Sequence, residues 1–331
     1  MKQITGLLII MLLSLHSTAQ KQHDYQPEKI IGADISFLPQ LEQEWHKKFY
    51  ENGIEKDAIS ILKEHGFNYI RLRIFNNPAA DSGYSPKKGF CDLQHTLQMA
   101  KRVKAANMKL LIDFHYSDYW ADPQKQFKPL AWKDLNFIEL KKAVTDFTQK
   151  TIQALKDQGT LPDMVQIGNE INHGMIWPDG KFEHIDSLAD LFKAGVAGVK
   201  AVDNNIKIML HIACGGQNIE SRDVIDKLLE RNVQFDIIGE SYYPQWHGTI
   251  DDLNKNITDL SERYKQDIIV VEYSEHKKEV NDIALSVANK KIVGSFIWEP
   301  LNTWEAIFDK NGNATDLLKI YDSIKAKYAV H

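Results

Sequence analysis

The chain has 331 residues, 43% hydrophobic and 26% charged, with 40 Lys and Arg against 45 Asp and Glu for a formal charge of −5. This composition excludes a disordered chain, the 2 cysteines exclude a disulfide-stapled scaffold, and the negative balance offers no basic field for nucleic acid. Length alone leaves open one large α/β domain or two small ones.

Residues 1–19 read as a secretory signal peptide. Lys2 is a short positive start, Ile4 to Leu15 is an apolar run too short to span a bilayer, and Ser17-Thr18-Ala19 offers small residues for a cut after Ala19. Residues 20–331 are then expected to form one exported domain, periplasmic or extracellular, monomeric and with no membrane association once the signal is removed.

Short apolar runs then alternate with amphipathic stretches. The runs are Ile30–Ile35, Tyr69–Phe75, Lys109–Phe114, Met164–Ile167, Ile206–Ile212, Phe235–Gly239, Ile268–Val271 and Ile292–Trp298. They are rich in Ile and Val and too short for helices, as strands buried on both faces are. The intervening stretches Lys56–His65, Leu93–Ala106, Phe137–Gln158, Leu188–Val202, Ile219–Arg231, Leu253–Tyr264, Val280–Asn289 and Asp316–Tyr328 carry apolar residues at helical spacing. Asp92, Asn136, Asp186 and Asp316 are candidate helix caps. Eight strand–helix pairs imply a single (β/α)8 TIM barrel. An open doubly wound sheet is the alternative, but no G-x-G-x-x-G follows the first run. Cys91 and Cys214 are expected to be unpaired and partly buried.

A barrel places its site at the C-terminal strand ends. Here those ends read Asp34-Ile35-Ser36, Arg71-Leu72-Arg73, Asp113-Phe114-His115-Tyr116, Asn169-Glu170, His211, Glu240-Ser241-Tyr242-Tyr243, Glu272-Tyr273 and Trp298-Glu299. Glu170 and Glu272 end the fourth and seventh runs, so both can point into one cleft. Two carboxyl groups flanking a glycosidic bond are the machinery of glycoside hydrolysis, about 5–5.5 Å apart for retention and about 6.5–9.5 Å for inversion. Arg71 and Tyr242 are read as donors to Glu272, and Asn169 as a contact for a sugar 2-hydroxyl. His115 and His211 would orient the carboxylates or sugar hydroxyls. Arg73 is read as facing the opposite side of its strand from Arg71. Trp120, Trp132, Trp177, Trp246, Trp298 and Trp304 lie on or after strand ends, where rings can stack on sugars. Metal spacing is weak: Asp309–Asn313 has Gly at the fourth place where a calcium loop needs it at the sixth, so a turn around Asn311-Gly312 is expected.

These residues resemble the family 53 glycoside hydrolases, the endo-β-1,4-galactanases. The resemblance is carried by Gly32-Ala33-Asp34-Ile35-Ser36, by Asn68 to Arg73, by Ile112-Asp113-Phe114-His115-Tyr116-Ser117-Asp118-Tyr119-Trp120 and by Val165-Gln166-Ile167-Gly168-Asn169-Glu170 through Trp177-Pro178. Asp236 to Pro244 and Val270-Val271-Glu272 complete it. It implies a retaining barrel enzyme with Glu170 as general acid/base and Glu272 as nucleophile. Arg71, His115, Asn169 and Tyr242 would surround the −1 sugar, Asp34 and His211 would join them in substrate binding, and Trp298 would be an aromatic platform. The implied substrate is β-1,4-galactan of pectin side chains, without cofactor. Glu272-Tyr273-Ser274-Glu275 passes almost at once into a helix, whereas some bacterial relatives bind calcium in a longer loop there, so calcium does not carry over. On the residues alone two readings stay open: a barrel hydrolase of mannan, xylan or glucan, and a non-catalytic glycan-binding protein.

Overall fold

A computed structural model describes residues 27–302 and 306–330; the signal-peptide reading and Trp304 lie outside the described residues. Eight strands form the barrel wall: β1 (Glu28–Asp34), β2 (Tyr69–Ile74), β3 (Lys109–Phe114), β4 (Met164–Ile167), β5 (Lys207–Ile212), β6 (Ile237–Tyr242), β7 (Asp267–Tyr273) and β8 (Ile292–Trp298). Each pairs in parallel with its chain neighbours, and β1 closes on β8. The helices between and after them are α1 (Ala58–Glu64), α2 (Leu93–Ala105), α3 (Phe137–Asp157), α4 (Ile185–Lys200), α5 (Asn218–Glu230), α6 (Ile250–Arg263), α7 (Lys277–Leu285) and α8 (Lys319–Tyr328). The chain is therefore a (β/α)8 barrel, as the alternation of runs requires.

The strands read as continuous apolar runs because both faces are buried. One face packs under the helices. The other fills the lower barrel with a plug that includes Ile30, Tyr69, Leu111, Met209, Ile269 and Phe296. Gly32 makes room for that plug, since a Cβ there would stand 2.2 Å from the Phe296 ring. With the floor filled by hydrocarbon, the polar strand ends are confined to the upper mouth.

Asp92 and Asn136 cap α2 and α3, Asn136 in a reciprocal capping box with Glu139. Asp186 and Asp316 do not cap. Each helix they were assigned to is entered through a 3-10 turn, Phe182–His184 or Asp316–Leu318, which bypasses the extended N-cap geometry. Cys91 and Cys214 are free and fully buried. The carboxylate of Asp309 accepts the backbone N–H groups of Asn311 and Asn313, so this stretch is a turn. The sequence reading missed decorations of the upper loops that include a helix at Leu38–Gln43, a hairpin pairing Phe49–Glu51 with Ile54–Lys56, a second pairing Gly174–Met175 with Gly180–Lys181, and a short helix at Pro244–His247. No helix among the described residues is long and apolar enough to cross a membrane.

Candidate active site

Arg71, on β2, is the hub of the barrel mouth. Its Nη1 donates to Glu272 Oε2 at 2.9 Å and to Asp34 Oδ2 at 3.0 Å, and its Nη2 donates to Asp113 Oδ2 and Asn169 Oδ1, both at 2.9 Å. Register makes this possible, because Asp34 on β1 is level with Arg71 on β2. Burial pushes the Asp34 carboxyl up, but the charges of Arg71 and Arg73 outweigh it and hold the group below the usual carboxylate range.

Arg73 also enters this mouth, which corrects the reading that placed it on the other face. Residues two apart on a strand share a face. Its Nη1 accordingly reaches Glu299 Oε1 at 2.5 Å and Asp34 Oδ1 at 3.4 Å.

Glu170 follows β4 in a left-handed backbone conformation, with φ of 50°. Its Oε1 accepts the Ser241 hydroxyl at 2.7 Å, and Ser241 Oγ lies 2.8 Å from His211 Nε2. Since Ser241 donates to the carboxylate, His211 must donate from Nε2, and its Nδ1 accepts from Gln166 Nε2 at 2.9 Å. Burial holds the His211 imidazole well below its ordinary pKa, so the ring is neutral. It acts on Glu170 through Ser241 and does not line the cleft.

Glu272 ends β7 and is held by two donors, Arg71 and the Tyr243 hydroxyl, the latter at 2.8 Å from Oε1. The expected donor was Tyr242. That side chain instead packs in the core under the helices, its hydroxyl donating to the Gly248 carbonyl at 3.2 Å. The reason is strand phase: Ser241 and Tyr243 face the mouth, while Glu240 and Tyr242 face outward. Glu240 is accordingly buried against Ser221 Oγ at 2.7 Å and the Cys214 N–H at 3.2 Å. Counting in twos from Ile237 in the barrel plug reaches Ser241 and Tyr243; the register shift beside them lies in β7, where three steps from Ile269 to Glu272 match two in β6 and bring Glu272 to the mouth.

His115 and Asn169 stand where expected. His115 Nδ1 accepts the Ala121 N–H at 3.1 Å, and its Nε2 lies 3.1 Å from Asp113 Oδ2, which fixes the donor on Nε2. Asn169 Nδ2 donates to the Ala121 carbonyl at 2.8 Å. The cleft holds about 660 Å³, and Asp34, Arg71, His115, Asn169, Glu170, Glu272 and Trp298 all line it. Trp120 and the exposed Trp246 line it too, whereas Trp132 packs on Phe147 and Trp177 lies outside it. Residues the sequence reading did not place in the site are Arg73, Asp113, Gln166, Ser241 and Tyr243. Asp113 and Gln166 were findable by counting back in twos from His115 and forward from Met164 along one strand face.

Glu170, His211 and Glu272 bring one ligand atom each within 4.8 Å of one another. That spacing would suit a cation, but the Arg71 guanidinium already neutralises Glu272 and both His211 nitrogens are engaged. What the pair of carboxyls has instead is asymmetry. Burial, and then the charge of Glu272, push Glu170 up to about 8, against which it has chiefly the Ser241 hydroxyl. Burial also raises Glu272, but the charge of Arg71 and the hydroxyl of Tyr243 oppose it. A proton shared by the pair therefore resides on Glu170, leaving Glu272 ionised.

The profile of Glycosyl hydrolase family 53 matches residues 30–291. The chain is 47% identical over 251 residues to a protein of Niallia circulans from the bgaB 5' region, an alignment of 73% of this chain and 66% of that one. It is 34% identical over 245 residues to an endo-beta-1,4-galactanase of Bacillus subtilis, covering 74% of this chain and 56% of the relative. It thus spans less than two thirds of the length of these two relatives. Among solved structures, the GH53 catalytic domain of Ignisphaera aggregans superposes with a TM-score of 0.83 at 36% identity, over 89% of this chain and 96% of that one.

Proposed function

The chain belongs to glycosyl hydrolase family 53, and from that premise we propose that it is a retaining endo-β-1,4-galactanase. The observation that carries the mechanism is the close, unequal pair of carboxyls: oxygens within 4.8 Å, one group poised to hold a proton and the other paired with Arg71. That distance supports double displacement, because inversion needs room for a water between the groups.

In the first step Glu272 attacks the anomeric carbon, the glycosidic bond breaks, and Glu170 gives its proton to the departing oxygen. In the second step Glu170, now a carboxylate, takes a proton from water while the water oxygen displaces Glu272. Arg71 and Tyr243 keep the nucleophile ionised and fixed. Asn169 and His115 stand beside it for the sugar hydroxyls. The galactan substrate is supported by the similarity to the endo-beta-1,4-galactanase of Bacillus subtilis. We read the chain as exported on the strength of residues 1–19, and as acting as a monomer without cofactor.

The test is digestion of linear β-1,4-galactan, with chromatography of the products and NMR of the first anomer released. Internal cleavage with the β-anomer appearing first is expected. Release of the α-anomer would overturn retention, and hydrolysis of mannan, xylan or glucan without galactan would overturn the substrate.

A further inference from the structure

Arg73 has no part in the steps above, yet it is a fully buried cation that lines the cleft. Only its Nη1 is ion-paired, while Nε and Nη2 make no well-formed hydrogen bond among the described residues, with the Tyr84 hydroxyl and the Cys91 thiol as weak polar neighbours of the guanidinium. A buried guanidinium that forgoes donors loses hydration it does not regain. What surrounds it is aromatic. Its Cζ stands 4.4 Å from the ring centre of Phe37 and 4.4 Å from that of Trp120, with Tyr84 at 5.7 Å. Phe37 and Trp120 stand at 71° to each other, so the guanidinium sits in the angle between two rings, a broad contact that the compact ammonium of Lys could not reproduce.

The rings come from different loops. Phe37 follows β1 and Trp120 follows β3, while Trp298 ends β8 and lies 6.3 Å from both. Arg73, on β2, touches Phe37 and Trp120, and both of those rings touch Trp298. Trp120 and Trp298 face the cleft and meet at 62°, so they make a corner and not a flat shelf. A β-1,4-glycan joined through equatorial oxygens is a flat ribbon and suits a shelf. A chain joined through the axial O4 of galactose bends at each linkage and presents the C–H face of one ring at an angle to the next.

We propose that Arg73 is a positioning residue that holds Trp120 and Trp298 as a corner, and that this corner selects a chain bent at an axial O4. The choice of sugar rests on the function proposed above; the positioning role does not.

The experiment measures kcat and KM for wild type, Arg73→Lys and Arg73→Met on galactan, together with the near-UV circular dichroism of the tryptophans. Loss of uniform binding raises KM with little change in kcat. The expected result is KM raised about tenfold, kcat within about threefold, and an altered aromatic spectrum, with Lys failing to rescue. Unchanged KM and spectrum in a folded Arg73→Lys variant would overturn the proposal, as would a fall in kcat at constant KM. Should both variants fail to fold, Phe37→Leu removes one flanking ring without touching a charge; raised KM supports the role and unchanged KM overturns it. A wild type that cleaves another β-1,4-glycan but not galactan overturns the substrate reading and the axial-O4 selection, and the Arg73 comparison on that glycan still decides the positioning role.

Discussion

Glu170 and Glu272 are the same residue type at the ends of two strands of one barrel, yet their surroundings differ in kind. Around Glu272 are a permanent cation and a phenol, Arg71 and Tyr243. Around Glu170 are a hydroxyl and, behind it, a neutral imidazole. Desolvation acts on both; the charge of Arg71 is the main answer to it at Glu272 and the smallest influence at Glu170. The lesson is that roles at a carboxylate pair are set by what is one shell away. Exchanging surroundings should exchange, blur or abolish the roles.

The comparison breaks most completely at Glu272→Ala. Removing the nucleophile should lower kcat about 10⁴-fold or more. Added azide should restore turnover and give a glycosyl azide of α configuration, since it enters the vacated face. Recovery of a β-configured azide would reverse the two assignments.

Glu170→Ala should cost less, about 10²–10⁴-fold on galactan, the range of general acid–base catalysis. On an aryl galactoside whose leaving group needs no proton, the bond-breaking step should be nearly spared. The high-pH decline of kcat/KM should disappear with it, because Glu170 must be protonated and its pKa near 8 sets that limb. A variant that keeps the decline would assign it to another group.

Tyr243→Phe sharpens the Glu272 side. A hydrogen bond to a charged group contributes about 1.5–3 kcal/mol, so a loss of roughly 10- to 100-fold in kcat/KM is expected. The hydroxyl lowers the pKa of Glu272, and removing it raises that pKa. Glu272 works ionised, so the low-pH limb should move to higher pH while the high-pH limb stays. Tyr242→Phe is the control, since its hydroxyl donates to the Gly248 carbonyl, away from Glu272.

That control marks where sequence reasoning ended. The eight strands and both glutamates were legible because burial on two faces leaves continuous apolar runs, and because a carboxylate ending such a run is conspicuous. Arg71, His115 and Asn169 were legible with them. Tyr242 in place of Tyr243 was a phase error of one residue, which counting in twos from the inward Ile237 avoids. Arg73 was misplaced although strand alternation alone sets it on the face of Arg71. Its aromatic cage could not be read at all, since Phe37 and Trp120 converge on it only when the loops after β1 and β3 fold over the mouth.

The mildest change, Ser241→Ala, sharpens the other side. The Ser241 hydroxyl stabilises the charged form of Glu170, so its loss raises the pKa of the acid further above the usual carboxylate range. Activity needs that group protonated before the first step, so the high-pH limb of kcat/KM should move to higher pH, and the low-pH limb, set by Glu272, should stay. The cost at the optimum should be under about tenfold, as for one neutral donor worth about 1 kcal/mol. The variant also frees His211 Nε2, which now has no acceptor in Ser241. If His211 instead turned to Glu170 and charged, it would hold the carboxylate ionised, and the high-pH limb would move down. The direction of one limb therefore decides whether Ser241 is a simple donor or the spacer that keeps a neutral histidine away from the acid.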